Sequence, residues 1–349
     1  MMNTQAVAAY LQSAAAHELA DLLKELTNDE KSLPELAAAA RRQKEAIFGK
    51  SVYLRGLLEI SSYCRNDCYY CGLRCSNKNA VRYRLDDKEI LNCCRSAYAL
   101  GLRTLVLQGG EDAAFNDDRL CRLIERIKTD CDLCAITLSL GERSRDSYAA
   151  LKAAGADRYL LREETADARH YTLLHPMQMS HSKRLRCLWD LKELGYQVGA
   201  GFMVGSPFQT PQTLAQELVF LRELQPQMIG IGPFIPQHDT VFAACPQGKT
   251  SLTLLVLALL RLLLPQALLP ATTALNSADE DGRRQALLGG ANVLMPNISP
   301  LRHRPHYAIY DNKKSLGCES IDKLDELTRL LQEWGLCADF ARGDHPDWL

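Results

Sequence analysis

The sequence predicts an α/β fold: a complete (β/α)8 barrel of the TIM type, with a helical N-terminal extension and an irregular C-terminal segment. Eight short apolar runs typical of strands alternate with longer amphipathic runs that have helical spacing. This alternation indicates parallel strands joined by crossover helices. The length of 349 residues also suits one large barrel with short additions. We expect the extension over 1–50, the barrel over 51–312, and a closing helix with a tail over 313–349.

The N-terminal extension is predicted to be helical because alanine and leucine recur in it at helical spacing. Its helices cover Ala14–Thr27 and Leu36–Ile47, and Asn28-Asp29 marks the break between them. The barrel strands are predicted over Leu54–Ile60, Thr104–Gln108, Ala135–Leu140, Arg158–Leu161, Gln197–Met203, Met228–Gly232, Leu268–Ala274 and Asn292–Met295. The helices between them are predicted over Lys88–Leu100, Asp118–Lys128, Arg145–Ala154, Ser182–Leu194, Thr213–Leu224, Ser251–Leu263 and Asp281–Leu288.

The C-terminal part is less regular. Ser299–Tyr310, rich in Pro, Arg, His and Tyr, is predicted to be a loop, Ile321–Leu331 a closing helix, and Asp339–Leu349 a polar tail. In a (β/α)8 barrel the functional side chains lie at the carboxyl ends of the strands. A chemically active motif directly after a strand is therefore a candidate site.

Composition excludes several classes of protein. Lys and Arg number 41 against 42 Asp and Glu, so the net charge of −1 gives no support to a nucleic-acid binder or a polybasic membrane protein. The most apolar run, Leu252–Leu264, contains Arg261 and is shorter than the roughly 20 residues of a membrane span. The N-terminal residues do not resemble a signal peptide, so we expect a reducing cytoplasm for the 13 cysteines.

The strongest motif follows the first predicted strand. Cys64, Cys68 and Cys71 have C-x3-C-x2-C spacing on one loop. Three thiolates can hold three irons of a [4Fe–4S] cluster and leave the fourth iron open to chelate S-adenosylmethionine (SAM), the source of a 5′-deoxyadenosyl radical. Cys75 leaves open a closed four-thiolate zinc or cluster site. A structural cluster without chemistry is a further alternative.

Two more candidate sites follow the second and fourth strands. Gly109 and Gly110 let the backbone approach a ligand closely, and Glu111 can receive an ammonium group, although a turn before a helix has the same sequence. Glu164 can bind ribose hydroxyls or an ammonium group, and Arg162 can clamp a carboxylate. A surface ion-pair cluster at the strand end is the alternative.

Together these segments resemble the radical-SAM superfamily, and within it the chain is similar to the HydE family of [FeFe]-hydrogenase maturases from about residue 50 to 312. The three-cysteine motif specifies only the superfamily, whereas Gly230–Pro236 and Pro270–Ala274 are far more particular. The resemblance rests on Cys64–Arg74, Leu107–Asp112, Arg158–Arg162, Glu164-Thr165, Leu191–Tyr196, Gly199–Gly201, Met203–Gly205, Gly230–Pro236, Pro270–Ala274 and Ala291–Asn297.

The resemblance implies a SAM-dependent radical step on a cysteine-bound Fe(CO)2(CN) precursor. A sister maturase, a radical-SAM tyrosine lyase, would make this precursor, and a GTPase scaffold maturase would receive the product. The cluster ligands would be Cys64, Cys68 and Cys71. SAM would lie near Tyr70, Gly109, Gly110, Glu111, Glu164, Arg184 and Met295, with Arg184 on its carboxylate. The substrate cavity would be lined by Arg55, Gln108, Thr137, Arg162, Met228, Thr272, Thr273, Tyr307 and Tyr310.

The sequence also departs from the family. Some members bind a second cluster through three cysteines near the C-terminus, but only Cys318 and Cys337 occur there, so we expect no second cluster. Glu163 precedes Glu164 and leaves open which of them contacts SAM; we choose Glu164 because Thr165 follows it. The rival functions are a radical-SAM enzyme acting on an ordinary small molecule, of the methylornithine synthase or biotin synthase type, and a non-catalytic metal-binding scaffold.

Overall fold

Thirteen α-helices connect or flank the strands in the computed structural model, which describes residues 4–29, 31–314 and 320–348. Their bounds are α1 Thr4–Ser13, α2 Ala16–Asn28, α3 Ser32–Phe48, α4 Asp87–Ala99, α5 Asp117–Asp130, α6 Arg145–Ala153, α7 Ala168–Leu174, α8 His181–Glu193, α9 Pro211–Leu224, α10 Thr250–Leu263, α11 Thr273–Ala278, α12 Gly282–Leu288 and α13 Leu324–Glu333. Short 3-10 helices cover Arg304–His306 and Ile321–Lys323.

The strands are short and pair in parallel. Their bounds are β1 Ser51–Leu54, β2 Gly56–Ser61, β3 Thr104–Gly109, β4 Ala135–Ser139, β5 Arg158–Leu160, β6 Gln197–Ala200, β7 Met203–Val204, β8 Met228–Ile229, β9 Gly232–Pro233, β10 Val293–Leu294 and β11 Cys337–Asp339. Six of them form one parallel sheet in the order β2-β3-β4-β5-β6-β8, which fits a TIM-type barrel. The order β10-β1-β11 forms a second parallel sheet, and β7 pairs with β9.

The seventh predicted strand is wrong in its extent. Over Leu268–Ala274 the structure has two isolated parallel bridges, from Leu268 to Met228 and from Pro270 to Val293, and α11 begins at Thr273. Proline lacks the N–H that a ladder needs, which shortens pairing on this segment. The fifth and sixth predicted strands are each split in two, at Gly201-Phe202 and at Gly230-Ile231.

Several of the crossover helices begin where a polar side chain caps them. Asp86 accepts a hydrogen bond from the Glu89 N–H at 2.7 Å, and Ser144 caps α6 through the Ser147 N–H at 3.2 Å. Such caps satisfy helix N–H groups that lack a partner inside the helix. The loops between strand ends and caps therefore have defined lengths, and they lie at the edge of the sheet where the candidate motifs occur.

One hydrophobic core joins the predicted extension, the barrel and the closing helix. It contains Leu23 of α2, Leu107 of β3, Leu257 of α10 and Leu331 of α13, all nearly inaccessible to solvent. Helix α2 packs against α9, and α3 packs against α10. Helix α10 is apolar on nearly every side, as a helix covered all round must be. None of the described helices is long and apolar enough to cross a membrane.

The polar tail is ordered against the amino ends of the strands. Strand β11 extends the sheet beside β1, with Ser51 opposite Cys337. Beyond it, Arg158 donates hydrogen bonds to the Arg342 carbonyl at 2.7 Å and to Asp344 at 2.6 Å. The tail therefore covers the end of the sheet opposite the candidate motifs and accepts two hydrogen bonds from a buried arginine there.

Candidate active site

A cavity of about 340 Å³ opens at the carboxyl ends of the strands. Apolar side chains such as Leu57, Leu160, Ile235 and Leu294 form much of its wall. Polar and sulfur-bearing side chains also face it: Glu59, Cys68, Tyr70, Cys71, Gln108, Arg162, Glu164, Met203, Met228, Thr272, Thr273, Arg283, Met295, Tyr310 and Lys313. An apolar cavity with a few converging polar groups is the usual form of a small-molecule site.

The cysteine loop after β2 lies directly on this cavity. The Cys71 N–H donates to the Cys68 carbonyl at 3.3 Å, and the Glu111 N–H points to the Cys64 sulfur at 3.4 Å. Asp67 and Arg74 close the loop with two hydrogen bonds of 2.8 and 2.7 Å. Burial raises the pKa of the Cys71 thiol to about 12, so a thiolate here needs a nearby positive charge, which bound iron would supply. The three cysteines thus suit an iron–sulfur cluster.

A single-metal site is not supported by the described residues. Among them no three or more His, Cys, Asp or Glu side chains are arranged to hold one metal ion. Cys75 is exposed, and its N–H donates to the Asn66 carbonyl at 2.9 Å. A [4Fe–4S] cluster differs because its thiolates bind different irons. Within the described part of the chain, therefore, nothing supports the four-thiolate zinc alternative.

Glu164, rather than Glu163, faces the cavity. Its backbone has a left-handed φ of 67°, and its N–H donates to the Gly201 carbonyl at 3.1 Å. One carboxylate oxygen lies 3.6 Å from the Arg162 Nε, and the other is buried without a hydrogen-bond partner among the described residues. A buried acceptor without a partner is costly in isolation, so it suits a ligand that donates hydroxyl or ammonium hydrogens.

Arg184 is buried beside the cavity. Its Nε pairs with Glu142 at 2.8 Å, and its Nη1 donates to the Arg162 carbonyl at 3.4 Å. Sequence reasoning did not find Glu142, which lies in the loop after β4. Because Glu142 and Arg162 hold the guanidinium, its charge remains next to the cavity in a fixed orientation.

Tyr70 is held by a histidine that sequence reasoning also missed. Its hydroxyl lies 3.1 Å from the His175 Nε2, and the His175 Nδ1 lies 3.0 Å from the Tyr171 carbonyl. Burial lowers the pKa of His175 to about 3, so the ring is neutral. Nδ1 must donate to the carbonyl, and Nε2 therefore accepts the Tyr70 hydroxyl hydrogen. This network fixes the Tyr70 side chain within the cysteine loop.

The residues expected to bind substrate fall into two groups. Six of them line the cavity: Gln108, Arg162, Met228, Thr272, Thr273 and Tyr310. Arg55 and Thr137 instead face a small separate cavity near the amino ends of the strands. Arg55 donates there to the Gly343 carbonyl at 3.0 Å and contacts the Met228 sulfur at 3.1 Å. The tail thus draws Arg55 away from the main cavity.

Other expected residues also lie outside the lining of the main cavity: Cys64, Gly109, Gly110, Glu111, Arg184 and Tyr307. Tyr307 is buried behind it, with its ring 5.1 Å from the Lys313 ammonium group. Glu111 turns away, accepting from the Glu142 N–H at 2.8 Å and pairing with Arg65 at 2.8 Å. Gly110 packs under the cysteine loop, whereas Tyr70 and Met295 do line the cavity as expected.

A buried ion pair in the cavity wall was not anticipated. Glu59 on β2 is inaccessible to solvent; its carboxylate pairs with Lys313 at 2.5 Å and accepts from Asn297 at 2.9 Å. A lone glutamate inside the apolar run Leu54–Ile60 was a usable signal in the sequence. Lys313 carries no such signal, because it reaches the wall from the irregular C-terminal segment.

Comparison with known proteins places this site in a family. Residues 58–221 match the Radical SAM superfamily. The [FeFe] hydrogenase maturase subunit HydE of Thermotoga maritima is 47% identical over 265 residues, which cover 76% of this chain and 75% of that protein. The chain belongs to the HydE family of radical SAM enzymes. Membership in the superfamily implies a [4Fe–4S] cluster and SAM, and the cysteine loop and Glu164 described above fit both groups.

This chain is also similar in sequence and fold to methylornithine synthases. The 3-methylornithine synthase of Methanosarcina acetivorans is 29% identical over 283 residues, covering 80% of this chain and 79% of that protein. The crystal structure of methylornithine synthase (PylB) superimposes with a TM-score of 0.79 at 23% identity, covering 95% of this chain and 97% of that one. The α/β architecture is therefore that of solved radical SAM enzymes.

Proposed function

We propose that this HydE-family chain matures [FeFe]-hydrogenase by acting on a cysteine-bound Fe(CO)2(CN) precursor. The observation that carries the proposal is the single cavity that joins the cysteine loop, Glu164 and the polar groups around Arg162. In this proposal a sister maturase, a radical-SAM tyrosine lyase, supplies the precursor. A GTPase scaffold maturase receives the product.

Within the proposal, the chain's own residues hold the cofactors. Cys64, Cys68 and Cys71 bind the cluster, while Glu164 and Arg184 bind SAM through its hydroxyl or ammonium groups and its carboxylate. Backbone groups around Gly109, Gly110 and Glu111, together with Tyr70 and Met295, complete the SAM site. When bound, the cluster and SAM supply reductive cleavage to a 5′-deoxyadenosyl radical.

The far side of the cavity suits an anionic metal complex. Arg162 supplies positive charge, and Gln108, Thr273 and Tyr310 offer hydrogen-bond donors for cyanide or carboxylate groups. The Thr272 hydroxyl donates to the Ile231 carbonyl at 3.1 Å, which leaves its oxygen free to accept from a ligand. Much of the cavity wall is apolar, which suits a reaction whose reactive intermediate must be kept from water.

We further propose that the strands close into the complete (β/α)8 barrel. The isolated bridges from Leu268 to Met228 and from Pro270 to Val293 lie between β8 and β10, and β10 pairs with β1. β1 runs into β2 through Arg55, whose N–H donates to the Leu294 carbonyl at 2.9 Å. These contacts support a seventh, minimal strand that joins the ends of the six-stranded sheet.

We also propose one cluster per chain and a reducing, cytoplasmic setting. Cys337 is exposed on β11, and Cys318 lies outside the described residues. The twelve cysteines that the structure describes are all free thiols, as expected in a reducing compartment. After anaerobic reconstitution we expect about four irons and four sulfides per chain. About eight irons per chain would contradict a single cluster.

Complementation tests the proposed function directly. We expect this chain to restore hydrogenase activity to a strain that lacks its own HydE, because the chain then performs the missing maturation step. The matched control is the Cys71→Ser variant, which should fail to complement. One result would be that the purified protein cleaves SAM to 5′-deoxyadenosine while the chain fails to complement. That result would reject the maturase function but would still support a radical SAM enzyme.

The second candidate is a small-molecule enzyme of the methylornithine synthase type. The 29% identity to 3-methylornithine synthase and the likeness to the PylB fold favour it. Formation of 3-methylornithine in an assay with extracts or purified protein would support this candidate. Its absence, together with successful complementation, would support the HydE function.

A further inference from the structure

A groove of about 480 Å³ lies beside the cysteine loop, apart from the main cavity. The charged residues that line it include Arg65, Glu111, Asp112, Glu142 and Lys183. The Arg65 N–H donates to the Glu111 carbonyl at 3.0 Å, and the Glu111 N–H points to the Cys64 sulfur at 3.4 Å. One wall of the groove is therefore in direct contact with a proposed cluster ligand.

Three ion pairs at this groove turn their acidic ends inward and their basic ends outward. They are Arg65 with Glu111 at 2.8 Å, Arg84 with Asp112 at 2.7 Å, and Lys183 with Glu142 at 3.4 Å. The basic side chains are 64%, 41% and 60% exposed in that order, whereas the acidic ones are 8%, 2% and 8% exposed. A fourth pair has the opposite arrangement, with Asp117 more exposed than Arg143. We call the three exposed basic side chains the basic rim.

This distribution of charge favours an acidic protein over a small anion. A small anion that entered the groove would meet the carboxylates of Glu111 and Glu142 in its lining. A protein surface instead stays at the opening and meets the outward guanidinium and ammonium groups of the basic rim first. Exposed basic groups speed the association with an acidic partner, and salt screens this effect.

The proposed function requires a partner that delivers electrons. In each reductive cleavage the C5′–S bond of SAM breaks, one electron is taken up, methionine leaves and the 5′-deoxyadenosyl radical remains. The cluster must regain that electron from outside the chain, and the donor is oxidised by one electron. A redox protein seated on the basic rim lies against Arg65, the residue next to Cys64. Redox encounters use small interfaces, which suits a rim of three side chains.

We propose that the basic rim is the docking surface for an acidic, low-potential protein that donates one electron at a time. The proposal rests on the proposed function, because that function consumes the electron. It gives Arg65, Arg84 and Lys183 a role in reduction of the cluster and none in holding SAM or the substrate.

The rate of cluster reduction without SAM tests the docking surface. The probe is an acidic flavodoxin in its fully reduced form, mixed with the anaerobic reconstituted enzyme while the absorbance of the cluster is followed. The double variant Arg65→Gln/Lys183→Gln should lower the second-order rate constant about tenfold at low ionic strength. In about 0.5 M salt the difference should shrink to about twofold, because the charges are screened. An unchanged rate constant at low ionic strength would overturn the proposal.

Two controls separate docking from damage to the cluster. Dithionite is too small to need a docking surface, so it should reduce the wild type and the double variant equally fast. Lys24→Gln/Arg126→Gln removes two comparably exposed charges from α2 and α5 and should keep the flavodoxin rate within about twofold of wild type. An equal loss of rate with dithionite, or an equal loss in this control variant, would overturn docking at the rim.

Binding of oxidised flavodoxin, measured by calorimetry, gives a readout that needs no electron transfer. Arg65→Gln/Lys183→Gln should bind it about tenfold more weakly at low ionic strength, whereas Arg65→Lys/Lys183→Arg should bind it as the wild type does. Equally tight binding of a protein with the same net charge and no redox group would overturn the assignment to an electron donor. Absence of SAM cleavage with both reductants would instead reject the proposed function, while the reduction and binding results would still report on docking.

Discussion

At the scale of single residues, Cys68 is a proposed cluster ligand, whereas the nearby Cys75 is not. Cys68 lines the cavity and its sulfur lies 3.7 Å from the Met179 sulfur, whereas Cys75 is exposed beyond the loop. Cys68→Ser should therefore abolish SAM cleavage and sharply lower the iron content, because the cluster loses a ligand. Cys75→Ser should retain both. Iron analysis and 5′-deoxyadenosine assays check this, and normal activity in Cys68→Ser would refute the ligand assignment.

Two adjacent glycines give a second residue-scale prediction. A Cβ on Gly110 would meet the Tyr63 carbonyl oxygen at 2.2 Å and the Cys64 Cβ at 2.6 Å, while one on Gly109 would meet nothing closer than 3.4 Å. Gly110→Ala should displace the cysteine loop and lower reconstituted iron severalfold. Gly109→Ala is the matched control and should load iron normally. Equal iron contents in the two variants would show that close packing under Cys64 is not needed.

At the scale of elements, the C-terminal tail places the Asp344 carboxylate against the buried guanidinium of Arg158. Asp344 accepts from Arg158 and Gln197, each at 2.6 Å, and from Arg342 at 2.9 Å. Burial raises the pKa of Asp344, but its hydrogen bonds with Arg342 and Arg158 outweigh burial and hold this pKa below the ordinary 3.8. The tail thus stabilises the barrel end through an ionised carboxylate.

The tail has a testable pH dependence. Because the folded pKa lies below the unfolded one, the stabilisation is present above about pH 4 and is lost as the pH falls further. Asp344→Asn should lower the free energy of unfolding by about 2 kcal/mol at neutral pH, and the difference should shrink below about pH 4. Denaturant titrations measure it. The exposed Asp347→Asn is the control, and a pH-independent difference for Asp344→Asn would contradict the ionic role.

At the scale of the whole molecule, the N-terminal helices belong to the same core as the barrel. Leu23 on α2 is 1% exposed, and Arg222 of α9 donates to the Leu11 and Ala14 carbonyls at 2.9 Å. Leu23→Ala should cost about 2–5 kcal/mol and shift one transition of the entire chain. The exposed Glu25→Ala should change stability by less than about 0.5 kcal/mol. Separate transitions for the helices and the barrel would contradict a shared core.

Local patterns were sufficient for most of the alternating strands and helices and for the cluster loop. Strands such as Thr104–Gly109 and helices such as Asp117–Asp130 lie within a residue or two of their predicted bounds, because hydrophobic periodicity acts over a few turns. The spacing of Cys64, Cys68 and Cys71 likewise indicates an iron–sulfur cluster site, because all three cysteines lie on one loop. Such features depend on neighbours in the chain, so they can be found without the fold.

The tertiary structure alone decided which distant groups meet. Lys313 pairs with Glu59 across 254 positions of the chain, and the Gly343 carbonyl of the tail accepts a hydrogen bond from Arg55. Whether Glu163 or Glu164 faces the cavity depends on a left-handed backbone that Gly201 and Glu217 hold from other elements. Contacts of this kind arise when separate strands and helices pack together, and no periodicity within a segment encodes their partners.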